Sequence, residues 1–271
     1  MDFMDNRPIG LFDSGVGGLT VLKELTKLLP NESIVYFGDC GRSPYGIKSK
    51  ETIIKYTWQD VNFLLRQDVK MIVVACNTAS AYGYEIAKDG IDIPMIEVVE
   101  PGAETVVRET QNKNVGVIGT TATIKSDVYN KAIKRINESV QVTSKACPLF
   151  VNLVEEGWWE NDVAQMVAKE YLGSFRNKNI DTLVMGCTHY PLLEKIIKNE
   201  MGKKVRIVSS AHEVARVVEI RLKEKKMLRK EKKQPVYKYF TSDSPEKFIE
   251  LGSLIMNKKL DNVEKIEIER Y

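Results

Sequence analysis

The chain is poor in the residues that build metal and disulfide sites. Its 271 residues include four cysteines and two histidines. Cys40, Cys76, Cys147 and Cys187 are widely spaced, with no C-x-x-C pair, which argues against a zinc site. Four thiols could form two disulfides. The first ten residues, MDFMDNRPIG, lack the basic stretch and apolar core of a signal peptide, so a reduced, cytoplasmic protein is expected. No apolar run approaches the roughly 20 residues of a membrane span. Charge of one sign is also lacking: 40 Lys and Arg stand against 37 Asp and Glu, a net +3. That balance is too weak to imply nucleic acid or a membrane surface.

What is present is an ordinary globular composition, 43% hydrophobic and 28% charged, on a chain long enough for one domain or two. Short apolar runs alternate with helical patterns throughout. This β-α rhythm predicts an α/β fold with mostly parallel sheets wrapped in helices. The stretch MIVVACNTAS, 71–80, reads as a strand buried on both faces that ends at Cys76, with Asn77 and Thr78 where a helix would begin. The pattern recurs at 182–189, where TLVM is followed by Gly186, Cys187, Thr188 and His189. Asp13 precedes Cys76 by 63 residues, and Thr120 precedes Cys187 by 67. The two halves therefore read as an approximate duplication, each with a polar loop after its first strand and a thiol after its third. Ligands of open α/β sheets bind at those strand ends.

Three further stretches carry expectations. Ser49 is placed to cap a helix with Ile54, Trp58, Val61 and Leu65 along one side. The basic run RLKEKKMLRKEKK, 221–233, reads as the solvated end of a helix from Ser210, with a phosphate-binding patch as the alternative. The polar tail 258–271 is expected to fray.

A buried free cysteine is commonly core filler. Cys76 and Cys187 differ from Cys40 and Cys147 in being matched: each is followed by polar residues and expected at a helix N-terminus, where the dipole and free N–H groups favour a thiolate. A tunable pair suits proton transfer, and Cys40 and Cys147 are read as structural. The loop DSGVGG, 13–18, is neither G-x-G-x-x-G, because Thr20 occupies the third glycine position, nor a Walker A loop. Asp13 could act on a neighbouring acid, orient an ammonium, or only cap the helix. His189 stands beside a thiol. His212 is expected to pack or cap near its own helix start, and Arg42 is either a side-chain carboxylate partner or an exposed loop residue.

Six segments carry a resemblance: FDSGVGG (12–18), FGD (37–39), PYG (44–46), ACNTAS (75–80), GVIGTTAT (116–123) and GCTHYPLL (186–193). Together they resemble glutamate racemases, of the cofactor-independent aspartate/glutamate racemase superfamily. The resemblance implies two pseudo-symmetric, doubly wound α/β domains with the active site between them. It places their boundaries at 1–98 plus 207–271 and at 99–206. It also implies that Cys76 and Cys187 transfer protons with Asp13 and His189 assisting, and that Glu155 matches a further acidic position. Asp13, Ser14, Tyr45, Gly46, Asn77, Thr78, Thr120, Thr123, Thr188 and His189 correspond to substrate contacts. The activity implied is interconversion of L- and D-glutamate without cofactor or metal, supplying D-glutamate for peptidoglycan and hence cell-wall biogenesis and cell shape. The enzyme would be a cytoplasmic homodimer with no nucleic-acid or membrane partner.

Racemisation needs a base on one face of the α-carbon and an acid on the other, which a duplicated site with two thiols supplies. No Arg or Lys falls inside the strongest motifs, so hydroxyl and backbone N–H groups are expected to hold the substrate carboxylates. The competing readings are a racemase of aspartate or a hydantoin on the same fold, a pyridoxal-phosphate racemase, a nucleotide binder through the glycine loop, and a non-catalytic two-lobed binding protein.

Overall fold

The computed structural model describes residues 5–230 and 233–271. Strands β1 (Ile9–Asp13), β2 (Ile34–Gly38), β3 (Met71–Val74) and β4 (Met95–Glu97) come first. The chain then crosses to β5 (Asn114–Gly119), β6 (Gln141–Ala146), β7 (Thr182–Gly186) and β8 (Arg206–Ser209). It returns through the helix Ser210–Glu224 to β9 (Tyr237–Thr241) and β10 (Val263–Lys265). One sheet runs β10-β9-β2-β1-β3-β4 and the other β6-β5-β7-β8, and every ladder among the described residues is parallel.

The expected duplication appears as topology. The order β2-β1-β3-β4 is repeated as β6-β5-β7-β8. In each sheet the first strand is flanked by its second and third, so the strand order reverses beside it. That reversal opens a crevice at the carboxyl ends of the strands. Helices cover both faces. Leu11, Tyr36 and Val73 point to one side of the first sheet, among Leu22 and Val214. Phe12, Phe37, Ile72 and Val74 point to the other, against Phe63 and Leu64. Strands covered on both faces must be apolar at nearly every position, which is why β1 and β3 read as continuous hydrophobic runs.

Several expectations are corrected. The helix Lys50–Arg66 is capped by Ser49, but it buries Ile53, Thr57, Asp60, Val61 and Leu64 rather than Ile54, Trp58 and Leu65. Apolar spacing misjudged this face because two of its residues are polar: Thr57 returns its hydroxyl to Ile53 O at 2.8 Å, and Asp60 pairs with Arg42. The tail does not fray. β10 joins the sheet edge, Leu260 and Ile268 are buried, and the Tyr271 ring packs edge-on against Phe63. The basic run is not simply a solvated helix end. The helix stops at Glu224, and Arg229 is buried, its N–H donating to Glu32 Oε1 at 2.7 Å. Residues 231 and 232 of that run, and 1–4 of the N-terminal segment, lie outside the described residues. At the crossing between sheets, Glu97 is buried and accepts from the N–H groups of Val99 and Glu100. Burial pushes its carboxyl up to about 7 against those two bonds. No helix among the described residues is long and apolar enough to cross a membrane.

Candidate active site

The two crevices face each other, and the motif residues meet between them. Ser14, Tyr45, Gly46, Cys76, Asn77 and Thr78 line a cavity from one side, and Thr120, Cys187, Thr188 and His189 from the other. Both thiols face this one space, whose volume is about 10 Å³. That is room for about one water. A roomier cavity of about 780 Å³ lies at the amino ends of β1, β2 and β9, around Arg7, Asp68 and Lys238, and carries none of the motif residues.

Asp13, Thr123 and Glu155 stand behind the lining. Asp13 is fully buried at the end of β1. Its Oδ2 accepts from Gly15 N at 3.2 Å and Gly18 N at 3.0 Å, and its Oδ1 from the Thr188 hydroxyl at 3.2 Å. It therefore joins the glycine loop to the opposite lobe rather than merely capping a helix. The loop needs glycine for this approach: a Cβ on Gly17 would lie 2.5 Å from both His189 Nδ1 and Thr188 Oγ1. Burial pushes the Asp13 carboxyl up, opposed by the His189 charge and the two N–H donors.

Cys76 lies two residues past β3 and caps the helix Asn77–Tyr82, its sulfur accepting from Ala79 N at 3.5 Å. Sequence placed it where a thiolate would be stabilised, but burial, reinforced by nearby Asp13, pushes its thiol above the ordinary range. The opposing Ala79 N–H and Ser14 bonds are too weak to offset this. Burial likewise lifts Cys40 and Cys147 to about 12. Cys187 does not cap an α-helix. Its carbonyl accepts from Tyr190 N at 3.3 Å, and a 3-10 turn, Tyr190–Leu193, precedes the helix Glu194–Met201.

Behind Cys187 is a line of ionisable groups. His189 Nδ1 is 3.8 Å from the Cys187 sulfur, and its Nε2 is 2.7 Å from Glu155 Oε1. Burial alone would discharge the imidazole, but its bonds to Cys187 and Glu155 hold its pKa well above the ordinary value. Burial works against the Glu155 carboxylate, and the His189 bond, the His189 charge and the Lys247 charge together more than offset it. The pair is therefore an imidazolium and a carboxylate.

The remaining contacts are polar and neutral. The hydroxyls of Thr78, Thr120 and Thr123 form a triangle across the interface, with separations of 3.0 to 3.1 Å. Asn77 Oδ1 accepts from the Tyr129 hydroxyl at 2.6 Å, while its buried Nδ2 has no partner. No Arg or Lys lines the cavity among the described residues. Arg42 is neither a cavity residue nor exposed: its side chain is 11% exposed and bonds Asp39 and Asp60. His212 is exposed and pairs with Glu24 at 3.3 Å rather than packing or capping.

The profile of the Asp/Glu/Hydantoin racemase family matches residues 13–218, most of the chain. The chain belongs to this family. It is similar to the glutamate racemase of Geobacter metallireducens, 49% identical over 97% of both chains. It is also similar to that of Lactococcus lactis subsp. lactis, 47% identical over 99% of this chain and 98% of the other. The solved Francisella tularensis subsp. tularensis glutamate racemase in complex with D-glutamate superposes with a TM-score of 0.93 at 40% identity, covering 99% of this chain and 100% of that one.

Sequence reasoning about this family member missed two groups. Tyr129, which orients Asn77, lies in a segment with no motif, on a helix 52 residues away in sequence. Asp39 falls within FGD with no role assigned, and Asp60 carries no sequence expectation. The signal available for Asp60 was its place in phase with Ile53, Thr57 and Leu64 on the buried face.

Proposed function

We propose that the chain is a glutamate racemase, interconverting L- and D-glutamate by proton transfer between two thiols. One observation carries this reading: thiols from topologically equivalent strand ends, Cys76 and Cys187, line the same cavity. Family membership and glutamate racemase relatives over nearly the full length support the substrate.

One thiol serves each face of the α-carbon, and their roles exchange with direction. Asp13 assists Cys76. His189, held charged by Glu155, assists Cys187 by giving its Nδ1 proton to the thiolate and, once neutral, taking it back. A substrate ammonium beside Cys76 and Asp13 favours the thiolate that burial disfavours, because an opposite charge nearby stabilises the ionised form. Thr78, Thr120, Thr123, Thr188, Ser14 and the segment 45–46 hold the carboxylates. The unpaired Asn77 amide is the donor best suited to a carboxylate oxygen, since a buried donor left unpaired is otherwise unfavourable. Charge developing in the carbanion falls on these donors in a site from which water is excluded. A cavity of about 10 Å³ cannot hold glutamate, so the lobes part to admit it.

The same reading takes 1–98 with the chain after β8 as one domain and 99–209 as the other: β9 and β10 join the first sheet, whereas β8, Arg206–Ser209, pairs with β7 in the second, which moves the expected boundary from 206 to 209. It makes the enzyme a cytoplasmic homodimer that needs no cofactor and supplies D-glutamate for peptidoglycan. The test is to assay Cys76→Ala and Cys187→Ala with both enantiomers, following α-deuterium uptake in deuterated water. Neither variant is expected to racemise, and full racemisation by either refutes the two-thiol scheme. Aspartate and a hydantoin run in parallel separate the substrates.

A further inference from the structure

Beneath the Tyr45–Ile47 turn lies a buried charge group with no part in the chemistry above. Asp39 follows β2, Arg42 ends the Cys40–Arg42 turn, and Asp60 sits on the helix Lys50–Arg66. Both carboxyls are fully buried. Arg42 donates Nε to Asp39 Oδ2 at 2.7 Å and Nη2 to Asp60 Oδ1 at 3.2 Å, and lies over the Tyr56 ring, 4.0 Å from its centroid. The Ser242 hydroxyl donates to Asp39 Oδ1 at 2.7 Å. The Tyr45 hydroxyl stands between the two acids, in short contact with Asp39 Oδ2 and 2.8 Å from Asp60 Oδ2.

The protons can be counted. A tyrosine hydroxyl has one hydrogen to give. Were both carboxyls ionised, one of its two contacts would set oxygen against anionic oxygen with no hydrogen between. One guanidinium would also face two buried negative charges, an arrangement that favours keeping a proton on one acid. Asp39 has Arg42, Ser242 and Tyr45 as donors, so it carries the charge. Asp60 has only the longer Arg42 contact besides Tyr45, so it holds the proton and gives it to the Tyr45 oxygen. Burial, then the nearby Asp39 charge, push Asp60 well above the ordinary carboxyl range, in the same sense.

We propose that Asp60 is a positioning residue, a neutral acid whose hydrogen-bond chain through Tyr45 to Asp39 and Arg42 holds the 44–46 segment against the substrate cavity. The chain lies under two parts of the site. Tyr45 and Gly46 line the cavity, and Asp39 N donates to Asp13 O at 3.0 Å. The proposal rests on the reading of that cavity as a glutamate site.

Asp60→Asn keeps a donor for Tyr45 and an acceptor for Arg42, so its KM for both enantiomers is expected within about twofold of the parent. Asp60→Ala releases Tyr45, and the binding step must then order the 44–46 segment. The expected result is a KM rise of about tenfold for both enantiomers, with kcat per folded molecule nearly unchanged. Asp60→Glu, which displaces the acid by one methylene, gives the same readout if Asp60→Ala does not fold. A purely structural role would lower the melting temperature and the active fraction but leave KM alone. Infrared spectra in deuterated water are expected to show a protonated-carboxyl C=O band that Asp60→Asn lacks. The proposal is overturned if that band does not differ, if Asp60→Asn raises KM as much as Asp60→Ala, or if neither Asp60→Ala nor Asp60→Glu changes it. A parent enzyme inactive on glutamate would instead sink the functional reading, and the infrared comparison would still report on Asp60.

Discussion

Replacing Gly46 with alanine tests whether catalysis needs the lobes as closely apposed as they are. Gly46 lies in the Tyr45–Ile47 turn with no positive φ, so alanine suits its backbone and only contact decides the outcome. A Cβ there would sit 2.4 Å from Thr120 Cβ, 2.7 Å from its Cγ2 and 2.8 Å from its Oγ1, all across the lobe interface. Ordinary carbon contacts are about 3.5–4.0 Å. Relief therefore requires the lobes to part there by about 1 Å, which also stretches the Thr78–Thr120 hydroxyl contact of 3.0 Å. Misplacing reacting groups by about 1 Å reduces rate about 100-fold, or about 2.7 kcal/mol of transition-state stabilisation. Each lobe's own core is untouched, so an opened form escapes the roughly 1–3 kcal/mol cost of overpacking. Gly46→Ala should thus lose about 100-fold in kcat/KM for both enantiomers while its melting temperature moves little. Chiral chromatography of product and differential scanning fluorimetry measure the two quantities. Gly173→Ala is the control, since a Cβ there meets nothing within 4 Å and activity should be unchanged. A Gly46→Ala enzyme with more than about half the parent efficiency would refute the need for this close apposition.

Two other perturbations follow from buried ionisable groups. Glu155→Gln removes the carboxylate that holds His189 charged, so kcat is expected to fall roughly 100-fold. Burial then lowers the imidazole pKa, and the alkaline limb of the kcat profile should move to lower pH; an unmoved limb would exclude His189 as the group being held. Glu97→Gln tests stability. The folded carboxyl is raised from 4.5 to about 7, so its contribution is complete below the unfolded value and is lost as pH rises through the folded one. The parent should lose about 3 kcal/mol from this group between pH 4.5 and 7, at about 1.4 kcal/mol per pH unit. Urea melts across that range should show the Gln variant without this component, and identical pH slopes would count against the assignment.

The sheets and the paired thiols were legible because both leave local marks. A parallel strand covered on both faces is a short unbroken apolar run, and each reactive residue follows directly on such a run. What stayed hidden depends on contacts between distant segments. Asp60 has no visible role until Arg42 and Tyr45 are brought over it. Tyr129 has a role only after the second lobe docks on Asn77. The tail was misjudged because its charges masked the few apolar residues, Leu260 and Ile268 among them, that hold it down. The thiol environment was misjudged because a strand end implies a helix dipole, whereas the closed interface adds burial, which dominates.

The unlike surroundings of the two sulfurs have a kinetic consequence. One is backed by an imidazolium–carboxylate couple and the other by an aspartate and a serine, although the sheets share one strand order. In an achiral solvent a racemase has an equilibrium constant of unity, so the specificity constants of the two directions must be equal whatever the asymmetry of the protein. The difference between the arms can appear only as turnover and Michaelis constant rising or falling by the same factor from one enantiomer to the other. A faster direction would therefore also be the one that saturates later, and selection could tune how full the enzyme is with each hand without tilting the reaction.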